Sequence, residues 1–143
     1  MSEDQTALPA GPRRQARERA LSLLYEAEAK GLPPAAVLAD LPLEPEEFTA
    51  ALVTGVGARL AEIDGLLGRF SVGWPVERMP VIDRNVLRLA VFELLAHAAT
   101  PVGAVLSEAV ELAKAYSTEE SGRFVNGVLS SIAAEVRTPN RTA

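Results

Sequence analysis

A chain of 143 residues with 48% hydrophobic residues is long enough for one domain with a real core. It has no cysteine, which excludes a disulfide scaffold, a zinc–thiolate site and a cysteine nucleophile. No uncharged apolar run of about 18 residues is present to span a membrane, and the first residues lack an apolar h-region, so a soluble cytoplasmic protein is expected. The net charge of −5 speaks against nucleic acid until its distribution is read. Arg13, Arg14, Arg17 and Arg19, opposed only by Glu18, give one short segment +3 and leave −8 on the rest of the chain. A basic patch on an acidic body is a directed electrostatic site.

Residues 1–12, rich in Ser, Glu, Asp, Gln, Gly and Pro, read as a flexible tail. The domain follows over 13–137, with a second tail at 138–143. A helix is predicted from Arg13 or Arg14 to Lys30, stopped by Gly31. Ala16, Ala20, Leu23, Leu24 and Ala27 form its buried stripe. At about 100° per residue, Arg14, Arg17, Leu21 and Tyr25 form a second stripe beside it, so Tyr25 stands level with the arginines. Pro33 and Pro34 open a short helix over 35–41, ended by Pro42. A long helix is predicted from Pro45 to Phe70 on Phe48, Leu52, Val56, Leu60, Ile63, Leu67 and Phe70. Gly55 and Gly57 weaken it by about 1 kcal/mol each. No lysine follows them and no strand precedes them, so they mark a close helix contact rather than a phosphate loop.

The rest of the chain is organised around 80–97. Its apolar residues fall on nearly every side of a helix, which places it in the middle of a core. Its charged residues gather at its start, where it emerges to meet a partner. Another helix is predicted over 102–116, with Val102, Val105, Leu106, Ala109, Leu112, Ala113 and Tyr116 facing in and Glu108, Glu111 and Lys114 facing out. Ser117 or Thr118 caps a last helix that runs to Arg137 on Val125, Leu129, Ile132 and Val136. Asn126-Gly127 would signal a hairpin turn, but it lies inside strong helical periodicity. No run alternates with period two. The expectation is an all-α bundle of about six to seven helices joined by short links.

His97 is the only histidine. It has no second ligand or nucleophile near it, so no metal, cofactor or catalytic set is expected and its role is structural. The arginine cluster has a plain reading as a solvated helix start. However, cations near a helix N-terminus oppose the macrodipole by roughly 0.3–1 kcal/mol each, so their density needs another cause. Phosphate contacts, with Tyr25 as a stacking surface, are the combination that holds single-stranded RNA. On the last helix, Phe124 shares a side with Glu120, Gly127 and Ser131, and Arg123 is adjacent. It either packs under a neighbouring helix or receives a flat ring. Glu77 and Asp83, with Arg78, Arg84 and Arg88, surround the entry to the central helix, where capping and surface ion pairs or a protein partner account for them. Trp74 is a core or lid residue, or an interface anchor.

Four blocks carry a resemblance. They are Arg14-x-x-Arg17-Glu-x-Ala20-Leu-x-x-Leu24-Tyr25, then Trp74-x-x-Glu77-Arg78 with Asp83-x-x-Val86-Leu87-Arg88-x-Ala90-x-x-Glu93-Leu94, then Ser107-Glu-Ala-Val-Glu-Leu-Ala-Lys114, then Arg123-Phe-Val-Asn-Gly-Val-Leu129. In order and spacing, from about Arg13 to Arg137, they resemble the NusB family of bacterial transcription antitermination factors. The resemblance implies an all-helical bundle in two subdomains, without enzymatic activity or cofactor. It implies binding to the boxA RNA of ribosomal RNA operons together with ribosomal protein NusE, in a complex that lets RNA polymerase read through terminators. Arg13, Arg14, Arg17, Tyr25, Arg123 and Phe124 match the family's RNA-facing positions, and Glu120 matches a position at that surface. Glu77 and Asp83 match positions facing the ribosomal protein.

This sequence departs from the family pattern at Gln15, a slot often basic, at Ser22, where glutamine is common, and at Ser107, where asparagine is common. These changes imply weaker RNA binding by the protein alone, with more of the affinity left to the partner. The same fold fused to ribosomal RNA methyltransferases is disfavoured, since no cofactor domain follows. The rival reading is a helical protein–protein adaptor that never touches RNA, which predicts an arginine flank covered by acidic side chains. A homodimer covering that flank is left open by the sequence.

Overall fold

The computed structural model describes the backbone of residues 2–137 and the side chains of residues 11–137; the expected tail at 138–143 lies outside the described residues. Among the described residues seven α-helices follow one another as α1 (Ser2–Lys30), α2 (Pro34–Ala39), α3 (Glu47–Ala58), α4 (Leu60–Phe70), α5 (Val81–Ala96), α6 (Val102–Tyr116) and α7 (Glu119–Val136). A 3₁₀ turn over Val76–Arg78 precedes α5, and there is no strand among the described residues.

The all-round apolarity of 81–96 does what its pattern predicts. Val86, Leu87, Leu89, Ala90, Val91, Phe92 and Leu94 are all buried, and α5 packs against α1, α3, α4, α6 and α7. Helices α1 to α3 pack on one another as one subdomain, α4, α6 and α7 pack as the other, and α5 touches both. Burying such side chains contributes about 1.5–3 kcal/mol each, so α5 is the axle on which the halves are mounted.

Local chemistry sets the element ends. Gly31 takes φ 66°, which only glycine adopts without strain. Leu32 N–H then donates to Ala27 C=O at 2.9 Å and Gly31 N–H to Glu28 C=O at 3.1 Å, the paired bonds that close a helix C-terminus. Thr118 Oγ1 accepts from Ser121 N–H at 3.0 Å, capping α7 with Glu119 and Glu120 in its first turn. Arg137 closes the far end of α5 by donating to Leu94 C=O at 2.7 Å and His97 C=O at 3.0 Å. The His97 ring sits 5.6 Å from Phe48 and 5.3 Å from Phe92, with its buried Nδ1 unpaired.

Two boundaries differ from those the sequence predicts. First, α1 reaches back to Ser2 rather than beginning near Arg13; the later start follows from prolines, each of which costs a helix interior about 3 kcal/mol. Second, the single helix predicted over 45–70 is two, broken at Arg59, whose φ of −116° and ψ of 23° are not helical. The break has a packing cause. α3 is held by α1 and α2, α4 by α7, and both by α5, so the two halves must point differently.

Gly55 is where α3 meets α5. A Cβ built there would lie 2.1 Å from the Phe92 ring, so the glycine permits close approach, as expected of it. Gly55→Ala is expected to cost about 1–3 kcal/mol by overpacking, measured by urea unfolding, and part of that loss should return in a Phe92→Leu background. A neutral Gly55→Ala would contradict this contact.

Candidate nucleic-acid interface

Four arginines crowded in sequence separate in space, because neighbouring residues on a helix point about 100° apart. Arg17 turns inward. It is 6% exposed and forms a forked pair with Glu93 of α5, itself 2% exposed, at 2.7 and 2.8 Å. The sequence reading set Arg17 among phosphate contacts, but both of its forward N–H groups are engaged inside the protein. Its place on the edge of the buried stripe carries it there. Arg14 turns toward α6 and makes an exposed forked pair with Glu108 at 3.0 and 2.8 Å. The hydrogen bonds and charge of Arg14 hold the Glu108 carboxyl below the usual carboxylate range. Arg13 lies 4.4 Å above the Phe48 ring, on the α3 side of α1. Arg19 is exposed beside Leu43 and Pro45.

Tyr25 is 48% exposed, in line with Arg14 as the stripe predicts, and Leu21 between them is buried. On the same groove lies a residue whose periodicity predicts a core position. Tyr116, the last residue of α6, is 50% exposed. The inward stripe of α6 includes it by periodicity, but at a helix end no neighbour lies above it. The two tyrosines, with Glu18, Leu21, Ser22 and Ile82, border a groove of about 390 Å³. The charge of Glu18 pushes the Tyr116 phenol up.

On α7, Arg123 and Glu120 are exposed. Arg123 and Asn126 line a groove of about 610 Å³ against Glu111 and Lys114 of α6. Glu111 also acts electrostatically on Arg14. The outer face of α6 thus bridges the arginine of α1 and the arginine of α7. Phe124 takes the packing alternative. It is half-buried, with Trp74 edge-on to its ring at a centroid distance of 4.6 Å. The two aromatic rings that flank one open groove are therefore Tyr25 and Tyr116, not Tyr25 and Phe124.

The acidic edge also divides. Glu77 is exposed and lines a groove of about 1030 Å³ between α4, the 71–78 connector and α5, with Trp74, Arg78 and Val72, the last 90% exposed. Asp83, expected to face a partner, is 1% exposed; Ser121 Oγ donates to it at 2.8 Å, tying α5 to α7, and its Oδ1 is buried without a partner. Arg84 and Arg88, expected to emerge with it, turn to Glu28 instead. Arg84 Nε donates to Glu28 at 2.9 Å, Arg88 at 2.8 Å and Asn85 at 3.1 Å, while Arg88 also reaches Asp64 at 2.9 Å. The hydrogen bonds from Arg84, supported by the neighbouring charges, lower the Glu28 carboxyl. Glu28 and Asp64 lie in no motif, and Glu93 lies in one that assigns it no role; only the fold shows what each one holds.

Among the described residues no group of three or more His, Cys, Asp or Glu is arranged to hold a metal, and no helix is long and apolar enough to cross a membrane. The fold and its surfaces define an all-α, two-subdomain protein with two separate grooved faces of mixed charge, one bearing tyrosines and the other tryptophan. The chain belongs to the NusB family, whose model matches residues 14–134. It is 46% identical over 130 residues to the transcription antitermination protein NusB of Acidothermus cellulolyticus, covering 88% of this chain and 90% of that one. It is similar in structure to T. maritima NusB, with TM-score 0.77 and 35% identity over 87% of this chain and 92% of the other. It is also similar to a chain in the crystal structure of antitermination factors NusB and NusE in complex with dsRNA, with TM-score 0.73 and 30% identity over 86% of this chain and 96% of that one.

The two forked arginine pairs differ in burial, so they should differ in worth. Arg17→Ala leaves Glu93 buried and alone and is expected to cost about 3–5 kcal/mol. Arg14→Ala should cost under about 1 kcal/mol. Urea titrations of the two variants check this, and a small loss for Arg17→Ala would contradict a structural role for the inner pair.

Proposed function

We propose that the chain is a transcription antitermination factor that binds boxA RNA of ribosomal RNA operons together with ribosomal protein NusE and promotes read-through by RNA polymerase. It works in the cytoplasm as a non-enzymatic adaptor. The observation that carries the reading is family membership over most of the chain, with a similar solved chain in a complex with NusE and RNA. The surface supports it. Arg14 and Arg123 stand on either side of the outer face of α6, with Tyr25 further along the flank of Arg14 as a base platform, while Arg13 turns to Phe48 on the other side of α1. Glu120 borders this face. Arg17 contributes by fixing α1 rather than by touching phosphate.

One observation favours the rival adaptor. The flank does carry acidic cover, from Glu108 on Arg14 and Glu93 on Arg17. The magnitudes decide against it. The inner pair is buried and leaves the surface unaffected. The outer pair is exposed, with half of the Arg14 side chain open to solvent, and is worth about 0–1 kcal/mol. A phosphate can replace a carboxylate there at little cost. The acid at the pair weakens the protein's grip on RNA by itself and leaves more of the affinity to NusE. For that partner the groove at Trp74, Val72 and Glu77 is the docking surface in this reading, with Asp83 supporting it from within.

Arg14→Ala with Arg123→Ala should weaken RNA binding and lower the slope of log affinity against log salt by roughly 0.7 per lost single-strand contact. A mobility-shift titration across salt concentrations measures it, and an unaltered slope would count against both arginines. Glu77→Lys should leave RNA binding by the isolated protein intact while weakening the complex formed with NusE. Equal losses in the two assays would mean the surfaces are not separate.

A further inference from the structure

The surface where α2 meets α3 takes no part in either grooved face. Between Gly31 and Ala58 the chain carries Asp40, Glu44, Glu46 and Glu47 and neither lysine nor arginine. A groove of about 760 Å³ runs between the two helices, with mostly apolar walls that include Leu38, Ala39 and Ala50. Glu44 and Glu47 line the same groove and are exposed. The other two acids are occupied: Glu46 caps α3 by accepting from Thr49 N–H at 3.0 Å, and Asp40 acts electrostatically on Lys30. Glu44 and Glu47 have no ion pair among the described residues. A second groove, of about 460 Å³, shares Glu44 and Pro45 with the first and carries Leu43, which is 81% exposed. Arg19 lies across that second groove and is the one base lining either. This exposed leucine is held in place. Pro42 and Pro45 restrict the backbone on either side of it, and Thr49 Oγ1 ties the start of α3 to Ala16 C=O of α1 at 3.2 Å. A fixed apolar knob loses little freedom when a partner covers it.

We infer that this surface docks a basic amphipathic helix of another protein, with its apolar side chains in the α2–α3 groove and against Leu43 and its lysines or arginines at Glu44 and Glu47. The inference goes beyond the RNA and NusE reading and does not depend on it. The chemistry selects the occupant. A helix laid in a groove is anchored by apolar residues one turn apart, and the small side chains of Ala39 and Ala50 leave room for such anchors. Two unpaired carboxylates on the rim attract cations and repel phosphodiesters and anionic lipid headgroups. A second copy of this chain is a poor occupant, because the arginines of its α1 are already engaged: Arg17 with Glu93, Arg14 with Glu108 and Arg13 over Phe48.

The test uses the whole protein and synthetic peptides, read by fluorescence anisotropy and by backbone amide NMR. The probe is a helix-forming peptide of about 15 residues, with leucines at one-turn spacing and lysines elsewhere. The control has the same composition in an order that spreads the leucines round the helix. The amphipathic peptide is expected to bind about tenfold more tightly than the control, and Leu43→Ser should weaken it by about tenfold, the scale of one buried leucine. Amide shifts are expected at Ala39, Leu43 and Ala50, and Glu44→Gln with Glu47→Gln should flatten the salt dependence of binding. Equal binding of the two peptides, or shifts confined to the groove at Trp74, overturns the inference. Self-association that Leu43→Ser abolishes also overturns it, by making a second copy the occupant, and so do shifts at these residues on adding RNA. Each of the first three results leaves the RNA and NusE reading standing, since none of them touches Arg14, Arg123 or Glu77.

Discussion

The forked bond between Arg17 and Glu93 is the interaction on which the rest depends. It joins a helix carrying the basic flank to the helix at the centre of both subdomains. Two charges buried together attract strongly and satisfy one another, but each is costly without the other. The pair therefore acts as a key that admits one rotation of α1. With Arg17 inward, the helical step sends Arg14 to the α6 side, Arg13 to the Phe48 side and Tyr25 to solvent. Burying one arginine of the cluster leaves its neighbours pointing outward.

The same logic runs through the other charges. Arg84 and Arg88 bind Glu28 and Asp64, joining α1, α4 and α5, and Arg137 closes the end of α5 through its carbonyls. Arg69 pairs with Glu135 across α4 and α7. A chain rich in arginine thus uses much of it to hold helices together, and an acidic protein leaves only a few arginines, Arg14 and Arg123 among them, on its outer surface.

Much of this was legible before any coordinates. The central helix, the buried stripes of α1, α6 and α7, the Gly31 stop and the Thr118 cap all follow from periodicity and capping chemistry, which are local. The errors share a cause. Arg17 and Asp83 were read as outward because charge predicts exposure, and the partners that made burial tolerable, Glu93 and Ser121, lie far away in sequence. Tyr116 was read as inward because periodicity describes the direction of a side chain but not whether a neighbour covers it. Phe124 has both readings open, and Trp74, from the distant connector before α5, decides between them. The break at Arg59 depends on which helices each half packs against, which no window of sequence contains.

The central claim is that α1 is fixed with one flank open, and that RNA runs along that flank and across the outer face of α6. Cross-linking of a photoreactive boxA RNA to the protein, with NusE present, tests it most directly. The account predicts adducts on α1 near Tyr25 and on the outer faces of α6 and α7 near Arg123, with none at the α2–α3 side. Adducts confined to α2, α3 or the groove at Trp74 would contradict it.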